Sequence, residues 1–300
     1  MCVEVVMDKH ITDMDEGADA GARRKIVLIT GGTSGIGLAC AIRFYHLGYN
    51  VAIMGRNEER GIEAIKKIGA TSFQEGAPAI DAAFNCDFAD EVPIKLWQLH
   101  GTRLCYIQGD VTSYKDCIAS VEGVVKRFGT IDILINSAGI YMEKGLEDMS
   151  EDDFCHVMDT NLKGTYFMTQ QAVAEMKKNK AGAVINISSD AGIQGNMLCS
   201  AYCASKGAVN MFTKAMALEL APWNIRINCV CPGDVMTPLT ENQLAQYPDR
   251  GAAIQEMREV YPLKRIGTPE EIAAVVEFLS SEAAGFVTGA IWAVDGGITA

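Results

Sequence analysis

The sequence predicts an α/β fold, a single doubly wound parallel sheet of about seven strands with helices on both faces. Three observations predict it. Short apolar runs alternate with helical patterns along the chain. Most of those runs are continuously apolar, as strands buried on both faces should be. The first run leads directly into a glycine-rich turn, Thr30-Gly31-Gly32-Thr33-Ser34-Gly35-Ile36-Gly37, and then a helix.

Strands are expected over 25–30, 50–54, 104–108, 131–136, 183–188, 226–230 and 290–294. Helix starts between them are readable. Ser150 precedes Glu151 and Asp153 in the manner of a capping box. Thr268-Pro269-Glu270-Glu271 supplies a cap, a proline at the first helical position and acids in the first turn. There is no internal repeat and no low-complexity tract.

Two segments exceed this plan. Residues 1–24 precede the first strand and read as a mobile N-terminal arm; 25–300 read as one catalytic domain. Within it, an insertion at about 71–102 separates the second helix from the third strand, longer than such connections usually are. Its Phe84, Phe88, Ile94, Leu96, Trp97 and Leu99 are too apolar for a bare linker. A helix-to-strand connection starts at the amino ends of parallel strands, whereas ligands bind at the carboxyl ends. The insertion is therefore expected away from the chemistry, covering the edge of the third strand or joining a subunit contact.

Composition narrows the function. The 300 residues carry a net charge of −12 with 49% hydrophobic content. Phosphate-backbone binding needs a basic face, so a nucleic-acid partner is not expected. No apolar run reaches the roughly 20 residues that span a bilayer, and the acidic N-terminus does not resemble a signal peptide; a cytoplasmic location is expected. The ten cysteines form no C-x-x-C pair and the four histidines are scattered. Buried thiols in a reducing compartment are the expectation, with no metal.

The glycine turn has the strand before it, the helix after it and a second strand ending about 20 residues on, the context of a Rossmann-like dinucleotide site. Glycines there permit a tight turn and close approach of backbone to a pyrophosphate at the helix N-terminus. The second strand ends in Met54-Gly55-Arg56-Asn57, with no carboxylate before Glu58. An NAD site typically places an acid there, whereas Arg56 can clamp a 2′-phosphate, which favours NADP(H) over NAD(H). Ser34 leaves the turn itself without a second basic residue.

Tyr202 and Lys206 stand four residues apart in Tyr202-Cys203-Ala204-Ser205-Lys206 and so share a helix face. A free phenol, with pKa about 10, is too weak an acid for a proton shuttle at neutral pH. An ammonium about 4 Å from its oxygen would favour phenolate by about 4 kcal/mol, or about 3 pKa units.

On these motifs the chain resembles the short-chain dehydrogenase/reductase family, in its 3-oxoacyl reductase-like form, from about residue 25 to 297. The glycine turn matches from Thr30 to Gly37. Asn136-Ser137-Ala138-Gly139 corresponds to the family's N-N-A-G, with a serine in second place. Asp110-Val111 stands where the family has its adenine-side pair, and Pro232-Gly233, Val235 and Thr237 where it has its turn after the sixth strand. The resemblance implies catalytic Asn161, Ser189, Tyr202 and Lys206. It implies cofactor contacts from Gly31, Thr33, Ser34, Gly35, Ile36, Gly37, Arg56, Asp110, Val111, Asn136, Ala138, Gly139, Tyr202, Lys206, Pro232, Gly233, Val235 and Thr237. Tyr202 would pass a proton to or from the reacting oxygen and Ser189 would steady it. Lys206 would hold the nicotinamide ribose, and Asn161 would join a water relay.

The implied function is NAD(P)(H)-dependent interconversion of a carbonyl and a secondary alcohol. The alternative is a non-catalytic NADP-binding sensor or interaction protein on the same fold. The segment from about 236 to 261, with Leu239, Leu244, Tyr247, Met257 and Tyr261, should cover a small-molecule substrate. An oxoacyl thioester, a hydroxysteroid and a sugar or polyol all stay open. The family implies a homo-oligomer, a tetramer or dimer, through the long helices.

Overall fold

The computed structural model describes residues 23–70, 80–86, 94–99 and 101–300. All but the last two residues of the N-terminal arm, and Phe88 of the insertion, lie outside the described residues. In chain order the strands are β1 (Ile26–Thr30), β2 (Asn50–Gly55), β3 (Ile80–Cys86), β4 (Ile94–Leu99), β5 (Leu104–Gln108), β6 (Ile133–Asn136), β7 (Gly182–Ile187), β8 (Ile225–Pro232) and β9 (Ile291–Val294). The helices are α1 (Gly35–His46), α2 (Glu58–Ala70), α3 (Tyr114–Phe128), α4 (Glu151–Met158), α5 (Gly164–Asn179), α6 (Ser200–Leu220), α7 (Pro238–Leu244), α8 (Arg250–Glu259) and α9 (Pro269–Ser280).

The sheet runs β3-β4-β5-β2-β1-β6-β7-β8-β9. Its seven expected strands are all parallel. β3 and β4 extend it as an antiparallel pair. Strand order reverses between β1 and β6, and the crevice at the carboxyl ends there is where such sheets bind ligands.

Alternation along β1 feeds the two larger cores, one on each face of the sheet. Val27 and Ile29 of β1 pack with Phe44, Ile65, Tyr106 and Val276 on the α1–α9 side. Ile26 and Leu28 pack with Val124, Met168, Val184 and Leu220 on the side of α3, α5 and α6. The capping boxes at Ser150–Asp153 and Thr268–Glu271 are both formed.

The insertion covers the edge of β5, the third of the expected strands, as anticipated, but its placement away from the ligand-binding side needs correction. Leu96 pairs with Ile107 and Trp97 with Tyr106, so β4 runs against β5 and begins at the carboxyl end of the sheet. A strand that returns antiparallel must cross the whole edge, and this one carries its first residues to the ligand-binding side. No helix among the described residues is long and apolar enough to cross a membrane.

Candidate active site

The glycine turn is closed by contacts that only glycine permits. Gly31 has φ +65°, and a Cβ there would lie 2.9 Å from the backbone of Ala138; a Cβ on Gly37 would lie 2.4 Å from the Gly31 carbonyl oxygen. Thr30 Oγ1 accepts from the backbone N–H groups of Ser137 and Ala138, both at 3.2 Å, which locks the end of β1 to the chain leaving β6. Ser34 caps α1 without a side-chain bond to the first turn. The leading amides and positive end of α1 thus fit a pyrophosphate. Thr33 lies against Gly55, and Thr237, the N-cap of α7, lies over Gly35. Ile36, the second residue of α1, packs half-buried against the core.

Around this cradle the other predicted positions sort into two kinds. Asp110 anchors the turn after β5, accepting from Thr112 N–H at 2.9 Å, and lies 3.9 Å from Arg56. Val111 packs against Gly164, and Gly233 against Tyr261, whose hydroxyl accepts from Asp234 N–H at 2.7 Å. Pro232 ends β8, and Val235 is buried. Asn136 is different: its amide donates to Thr169 Oγ1 and Asn186 Oδ1, both at 2.9 Å. That side chain ties β6 to α5 and β7.

The positions expected to be catalytic meet where β7 passes into α6. Lys206 is 5% exposed and its Nζ donates to Ile187 O at 2.9 Å. An ammonium has three N–H groups, and the other two fit ribose hydroxyls. A Cβ on Gly139 would lie 3.5 Å from Lys206 Nζ. Ala138 and Gly139 therefore form a wedge with the glycine turn on one side and α6 on the other. The Tyr202 ring stands 5.7 Å from Lys206 Nζ and 5.0 Å from the ring of Tyr141.

The electrostatics differ from the sequence expectation. Burial pushes the Tyr202 phenol up, its hydrogen bond with Ser189 draws it down, and Asp190, Cys199 and Asp234 push it up again. Burial also takes the Lys206 ammonium down to about 8. The three-unit lowering of the phenol assumed a partly solvated pair. Here the amine is turned to a backbone carbonyl and desolvation dominates. The result is a protonated phenol beside an ammonium that titrates near neutrality.

Ser189 and Asn161 are more constrained than sequence suggests. Ser189 Oγ donates to Asp190 Oδ1 at 2.7 Å and accepts from Ala191 N–H. Its single proton therefore serves Asp190 or the reacting oxygen, not both. Asn161 sits in a wide π-turn over Asp159–Lys163. It exchanges both amide bonds with the Ile140 backbone and donates to Ser205 Oγ at 3.0 Å. It pins the 140 loop to α6. A single such turn inside a helix often marks a functional site.

Sequence reasoning does not single out Tyr141, Asp190 or Asp234. Tyr141 and Asp190 sit on loops after strand ends, where residue type alone carries no periodic signal. Tyr141 Oη lies 3.2 Å from Cys199 Sγ. Beyond them opens a cavity of about 800 Å³ lined by Glu143, Lys144, Gly145, Asp148, Leu198, Gln246 and Tyr247. Of the residues expected to cover a substrate, Tyr247 lines it, while Leu244 and Tyr261 are buried.

Known proteins are similar to this chain in sequence and fold. The short chain dehydrogenase sequence pattern matches residues 25–95 and that of enoyl-(acyl carrier protein) reductase matches 74–299. The 3-oxoacyl-(acyl-carrier-protein) reductase FabG of Thermotoga maritima is 36% identical over 91% of this chain and 97% of its own. The L-fucose dehydrogenase of Bos taurus is 35% identical over 91% of this chain and 88% of its own. A solved actinorhodin polyketide ketoreductase variant with NADPH has a TM-score of 0.80 at 30% identity, covering 92% of this chain and 97% of that one. A glycine cradle, a Tyr–Lys helix and this breadth of similarity have one explanation: the chain belongs to the short-chain dehydrogenase/reductase family of NAD(P)-dependent oxidoreductases acting on CH–OH and C=O groups.

Proposed function

We propose that the chain is an NADP(H)-dependent oxidoreductase that interconverts a carbonyl and a secondary alcohol, with Tyr202 as general acid/base. The observation that carries this reading is the Ala138–Gly139 wedge, which joins the phosphate turn to Lys206 within one crevice. The nicotinamide supplies or accepts the hydride. The chain's own residues do the rest. Gly31, Gly35, Gly37 and the start of α1 hold the phosphates, and Lys206 holds the ribose with the N–H groups not given to Ile187. Tyr202 gives its phenolic proton to the substrate oxygen, and Ser189 steadies that oxygen when its hydroxyl turns from Asp190. In the reduction direction the phenol supplies its proton as charge develops on the substrate oxygen, and in the oxidation direction the same oxygen takes a proton back.

The NADP(H) preference rests on Arg56 and on the likeness to a ketoreductase solved with NADPH. The other cofactor-side assignments, Asp110, Val111, Pro232, Gly233, Val235 and Thr237, follow from their places around the crevice. A homo-oligomer is supported by the exposed apolar side chains of the long helices, among them Tyr166, Met211 and Leu218.

The test is a carbonyl panel run with NADPH and NADH side by side, following loss of nicotinamide absorbance. NADPH oxidation with at least one carbonyl is expected. Tight NADPH binding with no turnover across aldehydes, ketones, oxoacyl thioesters and sugars would leave the sensor reading instead.

A further inference from the structure

The inserted strand reaches the carboxyl ends of β5 and β2, where the NADP(H) reading would place the adenosine ribose. Lys95 lies one residue beyond the Leu96–Ile107 pair, at the carboxyl end of β5. Its Nζ is 3.2 Å from Glu58 Oε2, and Glu58 is the first residue of α2, two after Arg56. The intervening loop is clasped from below. Tyr106 Oη lies 2.9 Å from Gly55 O and 3.0 Å from Asn57 O. Trp97 of the insertion stacks on the Tyr106 ring, with centroids 5.2 Å apart. Gln108 Nε2 donates to Arg56 O at 3.0 Å.

Two ion pairs flank this loop, Arg56 with Asp110 and Lys95 with Glu58. Without Lys95 the group left uncompensated is the Glu58 carboxylate, just past the end of β2. A carboxylate in that region repels a 2′-phosphate and accepts from a free 2′-hydroxyl. Both members of the Lys95–Glu58 pair are more than a third exposed, so the pair adds little to stability. Its effect falls on the charge that a ligand meets.

We propose that Lys95, carried by the insertion, is a cofactor-selectivity residue. It neutralises Glu58 and so lets Arg56 receive a 2′-phosphate. This rests on the NADP(H) reading above. It also gives the insertion a role at the ligand-binding edge.

Calorimetric Kd values for NADPH and NADH separate the two ideas. Wild type should prefer NADPH. Lys95→Met should weaken NADPH binding about tenfold, through repulsion of the 2′-phosphate by an uncompensated Glu58, and leave NADH within about twofold. Lys95→Met with Glu58→Gln should recover most of the NADPH affinity. The exposed lysine is not part of the core, and an unchanged melting temperature for Lys95→Met checks that the fold persists. Equal wild-type affinities would overturn the NADP(H) reading and this inference together. A wild-type preference that survives intact in Lys95→Met, or a double variant as weak as the single one, would overturn this inference alone.

Discussion

The two ends of the crevice are built on opposite principles. At the proposed catalytic end Ser189, Asn161 and Lys206 are all buried, and two elements, β7 and α6, supply most of the geometry. At the adenosine end the Arg56 side chain is 60% exposed and its loop depends on partners from β4 and β5. Proton transfer needs pre-organised groups in a dry setting, where each polar contact is strong. Reading a 2′-phosphate needs only a favourable charge balance, and partly solvated cations supply it. The catalytic end should therefore be intolerant of single-atom changes and insensitive to salt. The adenosine end should be tolerant of them and lose NADPH affinity as ionic strength rises.

The largest expected effect comes from deleting one oxygen at the catalytic end. Tyr202→Phe keeps the ring and its edge contact with Tyr141 but removes the proton. Turnover should fall by about 10³-fold or more, because general acid catalysis of this kind contributes about 10²–10⁴. NADPH Kd should move by less than about threefold. Turnover near the wild-type value in that variant would end the assignment of Tyr202. Next comes Gly37→Ala. Its Cβ would lie 2.4 Å from the Gly31 carbonyl oxygen, so the turn must open. A stability loss of about 2 kcal/mol and at least a tenfold rise in NADPH Kd are expected, read from denaturant melts and titration. A Gly37→Ala variant that binds NADPH normally would show that the turn does not hold the pyrophosphate.

How much of each end is legible follows from the same contrast. The glycine turn and the Tyr202–Lys206 pair are local patterns, a strand-turn-helix and an i,i+4 spacing, and the sequence carries both. The seven parallel strands are legible for the same reason, as buried apolar runs. Lys95 is not legible, because its place depends on the antiparallel return of an inserted strand. Nothing between the second helix and the third parallel strand reveals which end of the sheet that strand reaches. The sign of the Tyr202 shift is also beyond reach. It depends on desolvation and on where Lys206 Nζ points, both products of packing. Asn136 and Asn161 show a third case. Their positions match the family pattern, yet their side chains are engaged by Thr169, Asn186, Ile140 and Ser205. Side-chain partners of that range cannot be read along the chain.

The pH behaviour of Lys206 sharpens the comparison further, because activity and stability should respond in opposite directions. As pH rises through about 8 the ammonium is lost. With it goes the charge that would meet the ribose hydroxyls, so kcat/KM for reduction should fall toward tenfold per unit above that point. Stability behaves otherwise. The folded pKa lies below that of a free lysine, about 10.4, so between the two the unfolded chain binds more protons. The burial cost is fully present below about pH 8 and is relieved as pH climbs toward about 10.4. Lys206→Met should accordingly be more stable than wild type by a few kcal/mol at pH 7, with the difference shrinking by pH 10. A difference that stays constant across that range would mean that Lys206 does not titrate there.

The smallest expected effect repeats the first deletion at the other end. Tyr106→Phe also removes one phenolic oxygen, but this one lies between the carbonyls of Gly55 and Asn57 beneath the Arg56 loop. Two carbonyls lose a shared donor, which costs about 1–2 kcal/mol of stability. The Arg56 loop gains freedom, and NADPH Kd should rise about two- to fivefold through that loss of pre-organisation. kcat with saturating NADPH should stay within about twofold of wild type, because nothing at β7 or α6 moves. The paired hydroxyl deletions thus separate the two ends by what they change, chemistry for Tyr202 and binding with stability for Tyr106. A Tyr106→Phe enzyme with depressed kcat and unchanged NADPH Kd would mean that the loop beneath Arg56 is coupled to the proton-transfer site, and the division of the crevice into two independent ends would fail.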